Sequence, residues 1–340
     1  MNDISHLVSA PRAATQAEMP VLDLRRMETD MAGLAADLRA ACLETGFFYV
    51  AHHGVPQGVV DGVFDATRRY FALPEAERAD DVMDPRFRRG WMRQGINQHP
   101  GYAPDLKESY EFGLDLPLDD PDVSAGLPLH GPNRWPPAHP WLQPAAEAYF
   151  DATLALGKRL LRVFAASLDV DPETFLRHTR KPMVQTRLFH YPPQTPADAA
   201  NAFGVAPHTD YGMITLLTQD PVGGLELRLR SGEWVSAPFI DGTFVVNLGD
   251  LFRVWTNDFY TSNLHRVVNR AGQERYSIPT FFNLDFHAPV ACLPGYSSAE
   301  NPPRYAPITS GDYLLSRFKT VQKYEATEWK PQSGKPQPEV

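Results

Sequence analysis

The stretch Ala206-Pro207-His208-Thr209-Asp210-Tyr211-Gly212 decides how the rest of this chain is read. His208 and Asp210 stand two residues apart, and on an extended strand such residues point to the same face. An imidazole and a carboxylate then project side by side toward one point. That is two-thirds of a 2-His-1-carboxylate site, the arrangement that leaves open positions on a non-haem Fe(II). By itself the pair is a weak signal, because a His and an Asp at this spacing also arise as structural partners. The third ligand must come from elsewhere, and His190, His265, His287, Asp220 and Asp250 are the candidates. His265 is the strongest. It lies in Ser262-Asn263-Leu264-His265-Arg266-Val267-Val268-Asn269, a strand-like segment after an irregular stretch over 253–261. Ten residues on, Arg275 and Ser277 repeat the two-residue spacing. A guanidinium beside a hydroxyl is a receptor for a carboxylate, through charge-assisted and often bidentate hydrogen bonds.

Composition sets the frame around this site. The 340 residues are 43% hydrophobic and 21% charged, which is ordinary for a globular protein and argues against disorder. A net charge of −9 argues against nucleic-acid or anionic-membrane partners, which need a basic field. Cys42 and Cys292 lie far apart and form no CxxC pattern, so a reducing cytoplasm is expected. No run approaches 18 apolar residues and no signal-type h-region opens the chain, so neither secretion nor membrane spanning is expected. Oligomeric state is left open between monomer and small homo-oligomer.

Elements follow from periodicity. Residues 1–18 read as a flexible leader and 20–24 as a short strand. Met31, Leu34, Ala35, Leu38 and Cys42 have helical spacing over 30–45, ended by Gly46. Phe47-Phe48-Tyr49-Val50 is β-rich. A helix is expected over 56–72, a short one from Pro74, a strand over 107–113, a long helix over 141–168 and a shorter one over 171–179. The segment 84–104 reads as irregular and 115–140 as a Pro-rich connection. From about 182, short apolar runs alternate with turns: 183–191, 205–209, 213–218, 225–229, 233–236, 243–248, 263–268, 275–283 and 288–292. Such spacing predicts a sandwich or barrel. Residues 309–323 predict a closing helix, and 326–340 a disordered tail.

Taken together, His208-Thr209-Asp210, His265-Arg266-Val267 and Arg275-Tyr276-Ser277 resemble the Fe(II)/2-oxoglutarate-dependent oxygenases, and more narrowly the isopenicillin N synthase-like branch. Gly46-Phe47-Phe48-Tyr49-Val50, Lys107-Glu108, Gly131-Pro132-Asn133-Arg134-Trp135-Pro136, Gly223-Gly224-Leu225 and Asn247-Leu248-Gly249-Asp250 fit the same pattern in order. The resemblance covers roughly residues 18–320. It implies an α+β fold: a double-stranded β-helix (jelly-roll) core with a helical N-terminal part and supporting helices. It also implies an N-terminal oxygenase domain over 19–136 and a catalytic domain over 137–325.

The resemblance further implies that His208, Asp210 and His265 hold Fe(II), with 2-oxoglutarate and O2 as co-substrates. Arg275, Ser277 and Tyr191 would hold the distal carboxylate of 2-oxoglutarate. Many plant members carry Asn two positions before that Tyr; here the residue is Phe189, and Arg187 two further back is read as assisting the co-substrate or the substrate, with a buried ion pair as the plain alternative. The expected activity is oxidative decarboxylation of 2-oxoglutarate coupled to C–H oxidation, most simply hydroxylation, of a small metabolite. Candidate substrate contacts are Trp91, Asn97, His99, Ser109, Glu111, Tyr211, Phe281 and Asn283. The ethylene- and succinate-forming sub-branch resembles the Pro193-Gln194-Thr195 and His208–Gly212 segments, but the Gly95–Gly101 loop lacks that branch's acidic residues and carries Asn97 instead. A co-substrate-independent oxidase and a non-catalytic jelly-roll binding protein are the remaining alternatives.

Overall fold

The computed structural model describes residues 11–194 and 203–321. The tail expected over 326–340, most of the leader and Thr195 lie outside these residues. Fourteen strands run β1 (Val21–Asp23), β2 (Phe47–Ala51), β3 (Gly90–Met92), β4 (Glu108–Gly113), β5 (Gln185–Tyr191), β6 (Val205–His208), β7 (Ile214–Gln219), β8 (Leu225–Arg228), β9 (Trp234–Ser236), β10 (Thr243–Leu248), β11 (His265–Val267), β12 (Arg275–Phe282), β13 (Pro289–Val290) and β14 (Ile308–Thr309). The helices are α1 (Arg26–Thr29), α2 (Met31–Glu44), α3 (Gln57–Phe71), α4 (Glu75–Arg78), α5 (Pro121–Ser124), α6 (Leu142–Ser167), α7 (Glu173–Leu176), α8 (Asp250–Trp255) and α9 (Ser310–Val321).

Eight strands form one sheet in the order β1-β2-β10-β7-β12-β5-β4-β3, and four form a second in the order β6-β11-β8-β9. Alternation along each strand gives the large sheet two apolar faces. On β2, Phe48 and Val50 join Leu38, Val63, Leu160 and Phe164 under α2, α3 and α6, whereas Phe47 and Tyr49 join Tyr191, Leu217, Leu225 and Val267 between the two sheets. The site opens in that second layer. Asp30 caps α2 by accepting from Gly33 N at 2.9 Å, and Leu34, Leu38 and Cys42 give it one buried stripe. The chain then turns into β2 through Gly46, whose φ of 70° suits glycine and whose Cα approaches so closely that an added Cβ would sit 3.0 Å from Thr261 O.

Four departures from the sequence reading have local causes. The stretch expected to be irregular over 84–104 contains β3, a three-residue strand that exists because β4 supplies its partner. Asp250–Trp255 is helical, though no element was expected there: Gly249 lets the chain leave β10 and run straight into α8. The helix expected over 171–179 shortens to Glu173–Leu176. Ile308 and Thr309 pair with Val290 and Pro289 before α9 begins.

Candidate active site

His208 ends β6 and His265 starts β11, and the two are direct partners across that antiparallel pair. Their ring centroids lie 4.2 Å apart. Asp210 follows two residues after His208, with Oδ1 3.7 Å from His208 Nε2 and 3.8 Å from His265 Nε2. One ligand atom from each residue lies within 4.8 Å of the others, and no other such group of three occurs among the described residues. The other four candidates for the third ligand are not in this group. His190, for instance, is held between Glu108 and Glu274 on the far face of the sheet.

The orientation of all three ligands is fixed from behind. His208 Nδ1 lies 2.8 Å from Ala206 O and His265 Nδ1 3.1 Å from Asn263 O. A carbonyl can only accept, so each Nδ1 carries the proton and each Nε2 keeps its lone pair for a metal. Burial and the neighbouring His265 hold His208 well below the ordinary histidine range, which keeps it neutral. Asp210 Oδ2 accepts from Thr215 Oγ1 and from Asn247 Nδ2 at 2.7 Å. Thr215 and Asn247 are themselves opposite partners on β7 and β10. Oδ1 is thereby left as the ligand atom. This donor set, two imidazoles and one carboxylate with their spare atoms occupied, fits a divalent iron with open positions.

Arg275 and Ser277 do share a face. Arg275 is fully buried, with Nη1 donating to Ser277 Oγ at 3.2 Å, Nη2 to Gln219 Oε1 at 3.4 Å, and Nε to Gly223 O. Its guanidinium lies 4.5 Å from the Tyr191 ring centroid, and Ser277 Oγ is 3.5 Å from Tyr191 Oη. Every hydrogen-bond partner of this cation is neutral. A cation so enclosed is a ready receptor for a carboxylate.

A cavity joins the two groups. Asn97, His99, Tyr211, Phe281 and Asn283 line it, as do Arg187 and Tyr191. Trp91, Ser109 and Glu111 lie off its wall. Trp91 turns toward the helices and donates from its indole to Glu108 at 2.7 Å. Ser109 and Glu111 do face the inner side of the sheet, while Tyr110 and Phe112 pack under the helices. Glu111 sits behind the wall, bound by Gln185 at 2.8 Å and within 3.3 Å of Arg187 and 3.5 Å of Arg88. Arg187 is thus both things weighed from the sequence, an ion-paired residue and a cavity residue. Its Cζ stands 4.8 Å over the Phe281 ring. Asn283 packs directly on Gly212, where a Cβ would fall 1.8 Å from its Oδ1, so a larger residue there would displace the Asn283 side chain.

Sequence reasoning missed several wall residues. Thr215 and Asn247 hold Asp210, and only the quoted Asn247-Leu248-Gly249-Asp250 run pointed near them. Lys107 lies in the quoted Lys107-Glu108 pair but received no role, and it lines the cavity. Leu314 and Phe318, four residues apart on α9, close it from one side. That spacing was visible, but not that the helix lay over the site. Asp250 is no ligand: its carboxylate takes bonds from Thr209 and from Tyr313 of α9, both at 3.3 Å. Burial raises its pKa.

A facial triad beside a buried arginine, set between the sheets of a jelly roll, defines a non-haem Fe(II) dioxygenase. Residues 182–284 match the 2OG-Fe(II) oxygenase superfamily, and residues 19–138 match the non-haem dioxygenase in morphine synthesis N-terminal family. The 2-oxoglutarate-Fe(II) type oxidoreductase hxnY of Emericella nidulans is 39% identical over 87% of this chain and 86% of its own. The 2-oxoglutarate-dependent dioxygenase caaD of Aspergillus niger is 37% identical over 89% of this chain and 94% of its own. Among solved structures, a full-length Neurospora crassa protein in complex with alpha-KG superposes with a TM-score of 0.79 at 29% identity, covering 92% of this chain and 100% of that one. The chain belongs to the 2-oxoglutarate/Fe(II) oxygenases and is a dioxygenase that uses Fe(II), 2-oxoglutarate and O2. Among its described residues no helix is long and apolar enough to cross a membrane.

Proposed function

We propose that this dioxygenase oxidises, by hydroxylation, a C–H bond of a small planar metabolite bearing a carbonyl or carboxylate oxygen. His208, Asp210 and His265 hold the iron; Arg275, Ser277 and Tyr191 hold the distal carboxylate of 2-oxoglutarate. The iron, when bound, supplies oxygen activation coupled to conversion of 2-oxoglutarate to succinate and CO2. The protein's part is to bind and orient both partners and to exclude water.

One observation carries the substrate reading. Arg187 lines the cavity with Nε beside Glu111 and Nη2 donating to Gln185 Oε1 at 3.0 Å, so Nη1 is the guanidinium nitrogen that would serve a ligand. Its guanidinium is presented over Phe281, and Tyr211, Asn283 and Phe318 line the same cavity. A flat ring can lie against Phe281 while an oxygen on it accepts from Arg187. Two structural relatives support this scale of ligand: the Neurospora crassa protein was solved with thymine, and JOX2 with JA. The net charge of −9 fits a small molecule better than a nucleic acid, and the two free cysteines fit a reducing cytoplasm.

The test is a library of heterocyclic and aromatic metabolites screened for substrate-stimulated succinate release, with His208→Ala as the blank. Stimulation should concentrate in planar compounds carrying an exocyclic oxygen and should be lost in Arg187→Ala. Stimulation by saturated or cationic compounds alone would overturn the reading.

A further inference from the structure

Lys107 lies one residue before β4, in the loop-to-strand step that follows Asp105. Strand β4 pairs with β5 as Glu108↔His190 and Ser109↔Phe189, and β5 pairs with β12 as Tyr191↔Arg275. Carried one step back, this register sets Lys107 beside Tyr191. Lys107, Tyr191 and Arg275 then form one row across three strands. Strands lie ~4.8 Å apart, so the two cationic residues leave the backbone roughly 10 Å from one another with Tyr191 between them. Both line the cavity that holds the triad.

The surroundings of Lys107 are unusual for a lysine. It is 6% exposed, and its ammonium lies 5.4 Å from the Phe189 ring centroid. Among the described residues its ion-pair partner is Asp105. The other carboxylate oxygen of Asp105 accepts from Ala206 N at 3.0 Å, so Asp105 is fixed to the strand that carries His208. An ammonium has three protons. One serves Asp105, and a buried ammonium with protons to spare on a cavity wall is a binding group for an anion.

We propose that Lys107 is the second cation of the co-substrate subsite. It positions the carboxylate of 2-oxoglutarate next to the keto group, while Arg275 takes the distal one. The two cations at the ends of the row match the two ends of a dicarboxylate. Asp105 aims the ammonium, through its hold on the His208 strand. This rests on the co-substrate reading given above for Arg275 and Ser277.

The experiment is calorimetry on the full chain loaded with Mn(II). It compares wild type, Lys107→Met, Lys107→Arg and the double variant Asp105→Asn/Lys107→Met, which leaves no buried carboxylate unpaired. Lys107→Met should weaken 2-oxoglutarate about tenfold or more, as expected for a lost charge-assisted hydrogen bond, and Lys107→Arg should restore most of it. Two half-ligands separate the ends. Binding of 2-oxobutyrate, which keeps the keto-side carboxylate, should fall in the Met variants. Levulinate, which keeps only the distal one and is read by competition, should change less than twofold. Equal loss for both half-ligands, or unchanged 2-oxoglutarate affinity in the double variant, would overturn the proposal. Failure of wild type itself to bind 2-oxoglutarate would instead overturn the underlying subsite reading. A purely structural salt bridge would lower the melting temperature without separating the two half-ligands.

Discussion

At the metal end of the cavity, each ligand's second atom is held by main chain or by a buried neutral side chain. Ala206 O and Asn263 O fix the histidines, and Thr215 with Asn247 fixes Asp210. At the substrate end the arrangement differs. Arg187 is oriented by a chain of side chains, Gln185 and Glu111, the latter reaching on to Arg88, and the opposite wall comes from α9 through Leu314 and Phe318. Backbone-fixed ligands make one geometry reproducible while the surrounding chain varies. A wall made of side chains from β5, β12 and α9 can change its ligand by single substitutions. The chemistry is therefore invariant at one end and the specificity is adjustable at the other.

The sharpest way to break this comparison is to remove one residue at each end. His265→Ala should abolish both Mn(II) binding and substrate-independent succinate release. Arg187→Ala should keep both and lose only the stimulation by substrate. If Arg187→Ala also lost Mn(II) binding, the two ends would not be separable. Arg275→Ala comes next. It removes an enclosed charge whose hydrogen-bond partners are all neutral, so the 2-oxoglutarate KM should rise roughly 10- to 100-fold with the KM for the primary substrate nearly unchanged. A rise in both would mean that the cavity behaves as one site. Asn247→Ala leaves all three ligands in place but frees Asp210 Oδ2 from one of its two donors. Loss of such a partner behind a ligand weakens metal binding by about 10- to 100-fold. An unchanged Mn(II) affinity would show that Thr215 alone suffices to orient the carboxylate.

The same contrast explains what could be read from the sequence. Arg275 and Ser277 are visible because they stand two residues apart on β12, and His208 and Asp210 because they stand two apart where the chain leaves β6, so the two-residue period of extended chain points to each pair. His265 needed only the expectation of a second strand. Short apolar runs at regular spacing predicted a sandwich or barrel, and the family resemblance narrowed it to a jelly roll. Glu111, by contrast, is one of two alternating faces on β4, and sequence does not say which face looks inward. Trp91 is a candidate contact from its place in the segment expected to be irregular, yet β3 turns it to the helix side, where Glu108 accepts its N–H. Leu314 and Phe318 are an ordinary i, i+4 pair whose role depends on where α9 docks. Lys107 and Asn247 meet the site only through register between distant strands.

The smallest expected effect tests whether α9 is coupled to the metal end at all. Asp250 touches both: Thr209, between the ligands His208 and Asp210, donates to it, and so does Tyr313 of α9, with Arg317 3.7 Å away. Burial raises the pKa of Asp250, so part of what these partners contribute is already offset by desolvation. Asp250→Asn keeps the shape and the backbone N–H that Asp210 O accepts at 2.8 Å. It removes only the charge. The loss should be about 1 kcal/mol, a fall of roughly 2–4 °C in melting temperature, with Mn(II) affinity within twofold of wild type. A larger thermal shift with unchanged metal binding would still leave the metal end independent, because its fixings at Ala206, Asn263, Thr215 and Asn247 do not pass through Asp250. A tenfold fall in Mn(II) affinity would mean that the closing helix reaches the triad through Thr209, and the division between an invariant metal end and an adjustable substrate end would have to be given up.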